Sequence, residues 1–342
     1  MGREFESPLW LNMKYFLAPT VVSLAVLLAV GVFAGWEAFF TAVLLAILEV
    51  TLSFDNAVVN AKVLERMSER WQQRFLTWGM VIAVFGTRLI LPILIVAASV
   101  GISPIVIAKL AAFSPTEYGD LLHGARYAIN SFGATFLILV ALKYFFDESK
   151  SVHWIASIER FLSRWGRIEA LEIGIALAVV LGFSLLVPPA AEATVLVSGI
   201  IGAVSFIVIE GAGGLFSEGT KRTMTGGAML FLYLNFLDSA FSLDSVVGAF
   251  ALTDAILVIA VGLGIGAYFV RALTIYFVRK NTLATLRYLE HGAHWAIFGL
   301  AVSMFAGLLL SVPEIVTGGI GLAFVLAAYY SSLRVRTRNR MH

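Results

Sequence analysis

Ten stretches of mostly apolar residues, each about as long as a membrane-spanning helix, constrain this chain more than any other feature. A helix that crosses the hydrocarbon core of a bilayer needs roughly 20 such residues. Only 13% of the residues are charged, about half the share of a soluble domain, and 60% are hydrophobic. We therefore expect an all-α, polytopic membrane protein with a single membrane domain over residues 1–342. The predicted spans are residues 15–35, 38–60, 77–99, 127–146, 170–187, 193–214, 228–252, 255–278, 293–311 and 314–333.

The positions of lysine and arginine predict how these spans are oriented. In an alternating arrangement of ten spans, 20 Lys and Arg residues fall on one side, and only Lys109 and Arg126 on the other. Cytoplasmic loops carry such an excess, so we expect both termini in the cytoplasm. The formal net charge of +2 and the lack of a basic cluster argue against a nucleic-acid partner.

The predicted loop at residues 151–169 has a helical periodicity of its own. Its apolar residues recur every three or four positions, and three arginines lie between them. This pattern is typical of an amphipathic helix at the cytoplasmic surface of the bilayer. The residues concerned are Trp154, Ile155, Ile158, Phe161, Leu162 and Trp165, with Arg160, Arg164 and Arg167.

Two short motifs within the predicted spans resemble each other. Residues 48–59 read LEVTLSFDNAVV and residues 237–247 read LDSAFSLDSVV, and the two acids are six positions apart in both. Each motif is followed by an arginine inside a predicted span and later by His-Gly-Ala. We interpret this order as an internal repeat, with units at residues 38–146 and 228–311. The aligned pairs are Glu49 with Asp238, Ser53 with Ser242, Asp55 with Asp244, Asn56 with Ser245, Arg88 with Arg271, and His123 with His291.

The repeat also predicts a topology. The first motif lies in the second predicted span and its counterpart lies in the seventh. Because these positions differ by an odd number, the two units are expected to cross the bilayer in opposite directions. Inverted repeats of this kind are typical of secondary transporters, which bind their substrates near the midplane between the repeats.

The acids and arginines of the repeat indicate which substrate would fit. A carboxylate at the bilayer centre costs roughly 2.5–3.5 kcal/mol, so four of them need compensation. Two arginines can neutralise two acids, and a divalent cation can neutralise the other two. The side chains offer oxygen ligands, which suit Mn²⁺, Ca²⁺ or Mg²⁺. The candidate metal ligands are Glu49, Asp55, Asn56, Asp238 and Asp244, and possible supporting residues are Ser53, Ser242, Ser245, Arg88, Arg271, Asn235 and Glu210.

Helix geometry complicates this site. On a straight helix Glu49, Ser53 and Asn56 share one face, whereas Asp55 lies about 100° away from it. Asp244 is displaced in the same way from the stripe of the second motif. Either the motif helices are locally unwound around a cavity, or the displaced acids face another partner such as an arginine.

The two motifs resemble those of the TerC family of bacterial integral membrane proteins, which is grouped with the LysE-type exporters. The resemblance rests on Glu49-x-x-Leu52-Ser53-x-Asp55-Asn56 and on its counterpart from Asp238 to Ser245, and it covers both repeat units. Members of that family are implicated in manganese efflux. The resemblance implies a location in the bacterial inner membrane and a metal-transport site at the five candidate ligands. The chain resembles a divergent branch, because many members have a proline soon after the second motif, where this chain has Val246.

These observations favour a secondary transporter that exports a divalent cation, with Mn²⁺ preferred. We do not expect an enzyme, because the zinc-protease pattern His-Glu-x-x-His does not occur in the sequence. Two alternatives remain open, namely an exporter of organic solutes such as amino acids, and a non-transporting membrane scaffold with structural acid–arginine pairs. The expected partners are the lipid bilayer and the metal ion, and the sequence indicates no oligomeric state.

Overall fold

Every regular element among the described residues of the computed structural model is helical, as the apolar periodicity predicts. The structure describes the backbone of residues 9–168, 170–217, 224–253, 255–280 and 285–340. Within these ranges, it does not describe the side chains of residues 9–14, 76, 212–217, 224–226, 243–244, 251, 314–315 and 336–340.

The helices follow one another with short connections. In chain order they are α1 (Leu9–Ala34), α2 (Trp36–Leu52), α3 (Phe54–Leu64), α4 (Glu69–Val81), a π-helical segment (Ile82–Ile90), α5 (Leu91–Val100), α6 (Pro104–Phe113), α7 (Pro115–Gly124), α8 (Arg126–Phe146), α9 (Ala156–Ser163), a 3₁₀ turn (Arg164–Arg167), α10 (Leu171–Ser184), α11 (Pro189–Ser217), α12 (Met224–Leu252), α13 (Ile256–Arg279), α14 (Leu289–Ala306) and α15 (Glu314–Arg340).

The helices support a multi-pass membrane protein. Among the described residues, seven helical stretches are long and apolar enough to cross a bilayer, or eight if the bent pair α2 and α3 forms one span. Helices also occupy the other two predicted stretches, but α10 has only 14 residues, and α14 lies outside the seven. The count of ten spans and the inverted topology therefore stay predictions.

The first motif lies at a break between two helices. Helix α2 ends at Leu52, α3 begins at Phe54, and their axes differ by 54°. Ser53 lies between them with its backbone N–H still bonded to the carbonyl of Glu49 at 2.9 Å. The second motif, by contrast, lies within the continuous helix α12. Local unwinding therefore applies to the first motif and not to its counterpart.

Close helix packing positions the first motif acid. A Cβ atom built on Gly262 of α13 would lie 2.6 Å from Cβ of Leu45, and one on Gly266 would overlap the side chain of Glu49. These two glycines are four residues apart and so lie on one face of the helix. Small residues at this spacing let membrane helices approach closely. Helix α2 consequently packs against α13 with Glu49 at the contact.

Candidate functional site

The first motif acid is neutralised by the arginine that follows it in the chain. Arg88 Nη2 forms a short ion pair with Glu49 Oε1, and both side chains are 1% exposed. Arg88 lies in the π-helical segment, and its Nη1 donates a hydrogen bond to the carbonyl of Ala83 at 2.7 Å. Ser53 donates a second hydrogen bond to Glu49 Oε1 at 3.2 Å. π-Helical turns are frequent at functional sites, where they reposition single side chains.

The second motif contains the equivalent pair. Arg271 Nη2 lies 3.4 Å from Asp238 Oδ2, and both residues are buried. The guanidinium also donates a hydrogen bond to the carbonyl of Phe75 at 2.7 Å and lies 4.2 Å from the centre of its ring. The arginines predicted as possible acid partners thus pair with Glu49 and Asp238, one in each repeat unit.

The two motifs meet through side chains. Asn56 Nδ2 donates a hydrogen bond to Asp238 Oδ1 at 2.8 Å. The second motif also contacts the π-helical segment, where Thr87 Oγ1 lies 2.9 Å from Ser239 Oγ. Asn56 Oδ1 and Ser242 Oγ are buried and have no hydrogen-bond partner among the described residues. Such a buried polar atom costs roughly 1–3 kcal/mol, so the interface between the motifs keeps oxygen atoms available for a ligand.

Asp55 differs from the acids that pair with arginine. It lies in the first turn of α3, just after the break, and is 4% exposed. No Lys or Arg among the described side chains forms an ion pair with it. A cavity of about 20 Å³ lies beside it, which is space for about one water molecule. Its lining includes the oxygen-bearing residues Ser53, Asp55, Ser245 and Thr317.

The remaining predicted site residues do not all converge. Asp244 lies in α12, but its side chain is outside the described residues. Asn235 donates to the carbonyl of Phe231 at 2.7 Å, and its Oδ1 lies beside Gly79, which also faces Arg271. Among the side chains that the structure describes, no three Asp, Glu or His residues are grouped as a metal cluster. The five-ligand set stays a prediction, because the side chain of Asp244 lies outside the described residues.

Glu210 lies in a different part of the bundle. It forms an ion pair of 3.0 Å with Lys143, and both line a cavity of about 400 Å³ between α3, α8, α11, α12 and α14. Arg66 and Asp147 also line this cavity, so it presents charges of both signs beside apolar and aromatic side chains. Of the possible supporting residues, Glu210 is thus away from the two motifs.

The sequence reasoning missed a buried acid in the amphipathic segment. Glu159 of α9 is 2% exposed and contacts α14 through His291 Nδ1 at 2.8 Å and Trp295 Nε1 at 3.0 Å. The backbone N–H groups of Trp154 and Ile155 also donate to its carboxylate. Burial by itself raises the pKa of Glu159, but the hydrogen bonds from His291 and Trp295 outweigh it and lower the pKa to about 2. The sequence did offer one signal for this contact, namely a glutamate beside the arginines of the segment.

The segment that is predicted to lie at the membrane surface also packs against the helical bundle. Glu159 and Leu162 face the helical bundle, whereas Ile158, Phe161 and Trp165 are exposed on the other side. The helical part is also shorter than residues 151–169, because α9 and the 3₁₀ turn together span 156–167. The arrangement leaves these three apolar side chains exposed, while the Glu159 carboxylate attaches the segment to α14.

One family model matches most of the chain. Its description is protein of unknown function (DUF475), and it matches residues 54–341. The chain belongs to the DUF475 family. The DUF475 match includes Asp55, Asn56, Asp238 and both arginines of the site, whereas Glu49 precedes it. Searches among curated proteins and among solved structures give no match.

Proposed function

We propose that this protein is a secondary transporter that exports a divalent cation, with Mn²⁺ favoured, across the bacterial inner membrane. In this proposal both termini are cytoplasmic, and the two repeat units have inverted topology. The observation that carries it is the setting of Asp55. This buried acid lines a small cavity between the motifs, and no described Lys or Arg neutralises it.

The charges support a divalent ion. Arg88 neutralises Glu49 and Arg271 neutralises Asp238. Two motif acids of the sequence, Asp55 and Asp244, are then left to balance a bound ion in this proposal. A divalent cation balances both, and carboxylate, amide and hydroxyl oxygens are the ligands that Mn²⁺, Ca²⁺ and Mg²⁺ accept. The resemblance to the TerC family adds the preference for Mn²⁺ and the direction of transport.

Charge balance also suggests the driving reaction. Two protons on Asp55 and Asp244 remove the same charge as one divalent ion, so exchange of one ion for two protons keeps the site neutral in both states. Neutrality matters because an uncompensated charge in the bilayer is costly. The Asn56 side chain links the two motifs through Asp238.

Transport into vesicles tests the proposal. Purified protein is reconstituted with a Mn²⁺-quenched dye inside the vesicles, and an imposed pH gradient drives exchange. We expect Mn²⁺ entry with the wild type and its loss in Asp55→Asn and Asp244→Asn. Asp120→Asn is the matched control, because Asp120 is an exposed aspartate in α7. Transport by Asp55→Asn at the wild-type rate would rule out the proposed site.

A second candidate function rests on the larger cavity. A volume of about 400 Å³ is within the range of small-molecule sites, and Arg66, Lys143, Asp147 and Glu210 fit the two charges of an amino acid. This candidate predicts exchange of radiolabelled amino acids that Glu210→Gln abolishes and Asp55→Asn leaves intact. If neither ions nor amino acids move in folded, reconstituted protein, the scaffold interpretation takes precedence.

A further inference from the structure

The small cavity beside Asp55 is completed by a helix that belongs to neither repeat unit. Thr317 of α15 lines this cavity together with Ser53, Asp55 and Ser245. All four residues are at least nine-tenths buried. Residue 317 lies beyond both repeat units, which end at residues 146 and 311. The cavity is therefore lined by both motifs, by Ala296 and Leu300 of α14, and by α15, and of the two last helices α15 supplies the side-chain oxygen.

Close packing fixes α15 at this position. A Cβ atom on Gly318 would overlap Cδ2 of Leu52, the last residue of α2 before the break. With Leu52 in this conformation, a residue with a side chain does not fit at position 318. Because Thr317 directly precedes Gly318, the contact holds the threonine at the point where the first motif bends.

We propose that Thr317 is an ion ligand and that the cavity selects a cation that gives up its water shell. This inference rests on the proposed function and names the substrate class more closely. The volume of about 20 Å³ leaves room for about one water molecule, so an ion bound beside Asp55 would exchange most of its water shell for protein oxygens. Mg²⁺ loses its waters reluctantly and usually retains several, so the cavity disfavours it relative to Mn²⁺ or Ca²⁺.

Equilibrium binding tests this inference without transport. Purified protein is dialysed against radioactive Mn²⁺, with and without an excess of Mg²⁺. Thr317→Val keeps the shape of the side chain but removes its oxygen, and Thr317→Ser restores the oxygen. Thr135→Val is the matched control, because Thr135 is fully buried in α8 outside the cavity. Thermal unfolding monitors the fold of each variant.

We expect Mn²⁺ to bind the wild type in the presence of excess Mg²⁺. Thr317→Val should weaken binding by about tenfold or more, as loss of a metal-site partner does, while Thr317→Ser and Thr135→Val bind as the wild type does. Binding that Asp55→Asn abolishes but Thr317→Val leaves unchanged overturns the role of Thr317 alone. Displacement of the bound Mn²⁺ by the excess of Mg²⁺ overturns the selection against hydrated ions. No Mn²⁺ binding by folded wild type overturns the proposed function and, with it, this inference.

Discussion

Asn56 of the first motif donates a hydrogen bond to Asp238 of the second across 182 positions of sequence. Replacing Asn56 with Leu keeps a similar size but leaves Asp238 Oδ1 without this donor. We expect the free energy of unfolding to fall by about 1–3 kcal/mol, the cost of an unsatisfied buried polar atom. Unfolding in mixed detergents measures this loss. A double-mutant cycle with Asp238→Ala, which removes the accepting oxygen, isolates the bond, and a coupling energy below about 0.5 kcal/mol contradicts it.

The ion pair of Arg88 and Glu49 is buried on both sides. Arg88→Met leaves the Glu49 carboxylate alone in the bilayer, and removal of one partner of a buried pair costs about 3–5 kcal/mol. The double variant Glu49→Gln with Arg88→Met removes both charges and should recover most of that loss. Chemical unfolding of wild type, single and double variants provides the comparison. Equal destabilisation of the single and double variants would mean that the charge pair is not the cause.

Gly266 tests the packing between α13 and α2. A methyl group at this position meets Glu49 Cβ and Cγ, so Gly266→Ala must push the motif acid or the whole helix away. Such overpacking typically costs 1–3 kcal/mol. Gly264→Ala on the same helix is the control, because its nearest neighbour is Val84 Cγ1 at 3.4 Å. In the control, alanine should be neutral or stabilise the helix by up to about 1 kcal/mol. Thermal unfolding that shows equal midpoints for both variants would contradict the close contact.

Glu159 predicts an acid-sensitive attachment of the amphipathic segment. Its pKa lies at about 2, below the ordinary value of 4.5, so the attachment is fully stabilised above about pH 4.5 and weakens as the pH falls toward 2. Amide hydrogen-exchange protection factors of residues 153–167, compared at pH 3 and pH 6, measure how firmly the segment is attached. Glu159→Gln should raise exchange at pH 6.

The control for this attachment is Glu148→Gln. Glu148 forms a 3.3 Å pair with Arg167, and the side chains are 45% and 80% exposed. An exposed pair contributes little to stability, so we expect slow exchange to persist in this variant. Fast exchange of the wild-type segment at pH 6 would show that the Glu159 contacts do not hold it.

Sequence reasoning reached the membrane class and the motif residues because both depend on local patterns. Apolar runs fix where helices form, and rare charges inside them identify Arg88 and Arg271, which the structure pairs with motif acids. Helical spacing also left two explanations for the displaced acids. The bend at Ser53 agrees with local unwinding of the first motif. The second motif is not unwound, since α12 continues through it without a break.

The contacts that sequence reasoning did not reach join distant parts of the chain. Glu159 contacts a histidine 132 positions away, and Thr317 lines a cavity with residues of both motifs. Neither residue belongs to the repeat, so self-comparison gives no signal for it. Span counting has a similar limit, because α10 is an apolar helix of only 14 residues inside a stretch that composition alone predicts as a full crossing.

The π-helical segment that carries Arg88 has a mechanical consequence. A π-helix bonds each N–H to the carbonyl five residues before it, whereas an α-helix uses the carbonyl four residues before. When a π-helical turn becomes an α-helical turn, it contains one residue fewer, and the residues that leave it change their position around the helix axis by about 100°. A shift of hydrogen bonds between Ile82 and Ile90 would therefore rotate the Arg88 guanidinium about the helix axis and away from Glu49. The helix itself would keep its place in the membrane.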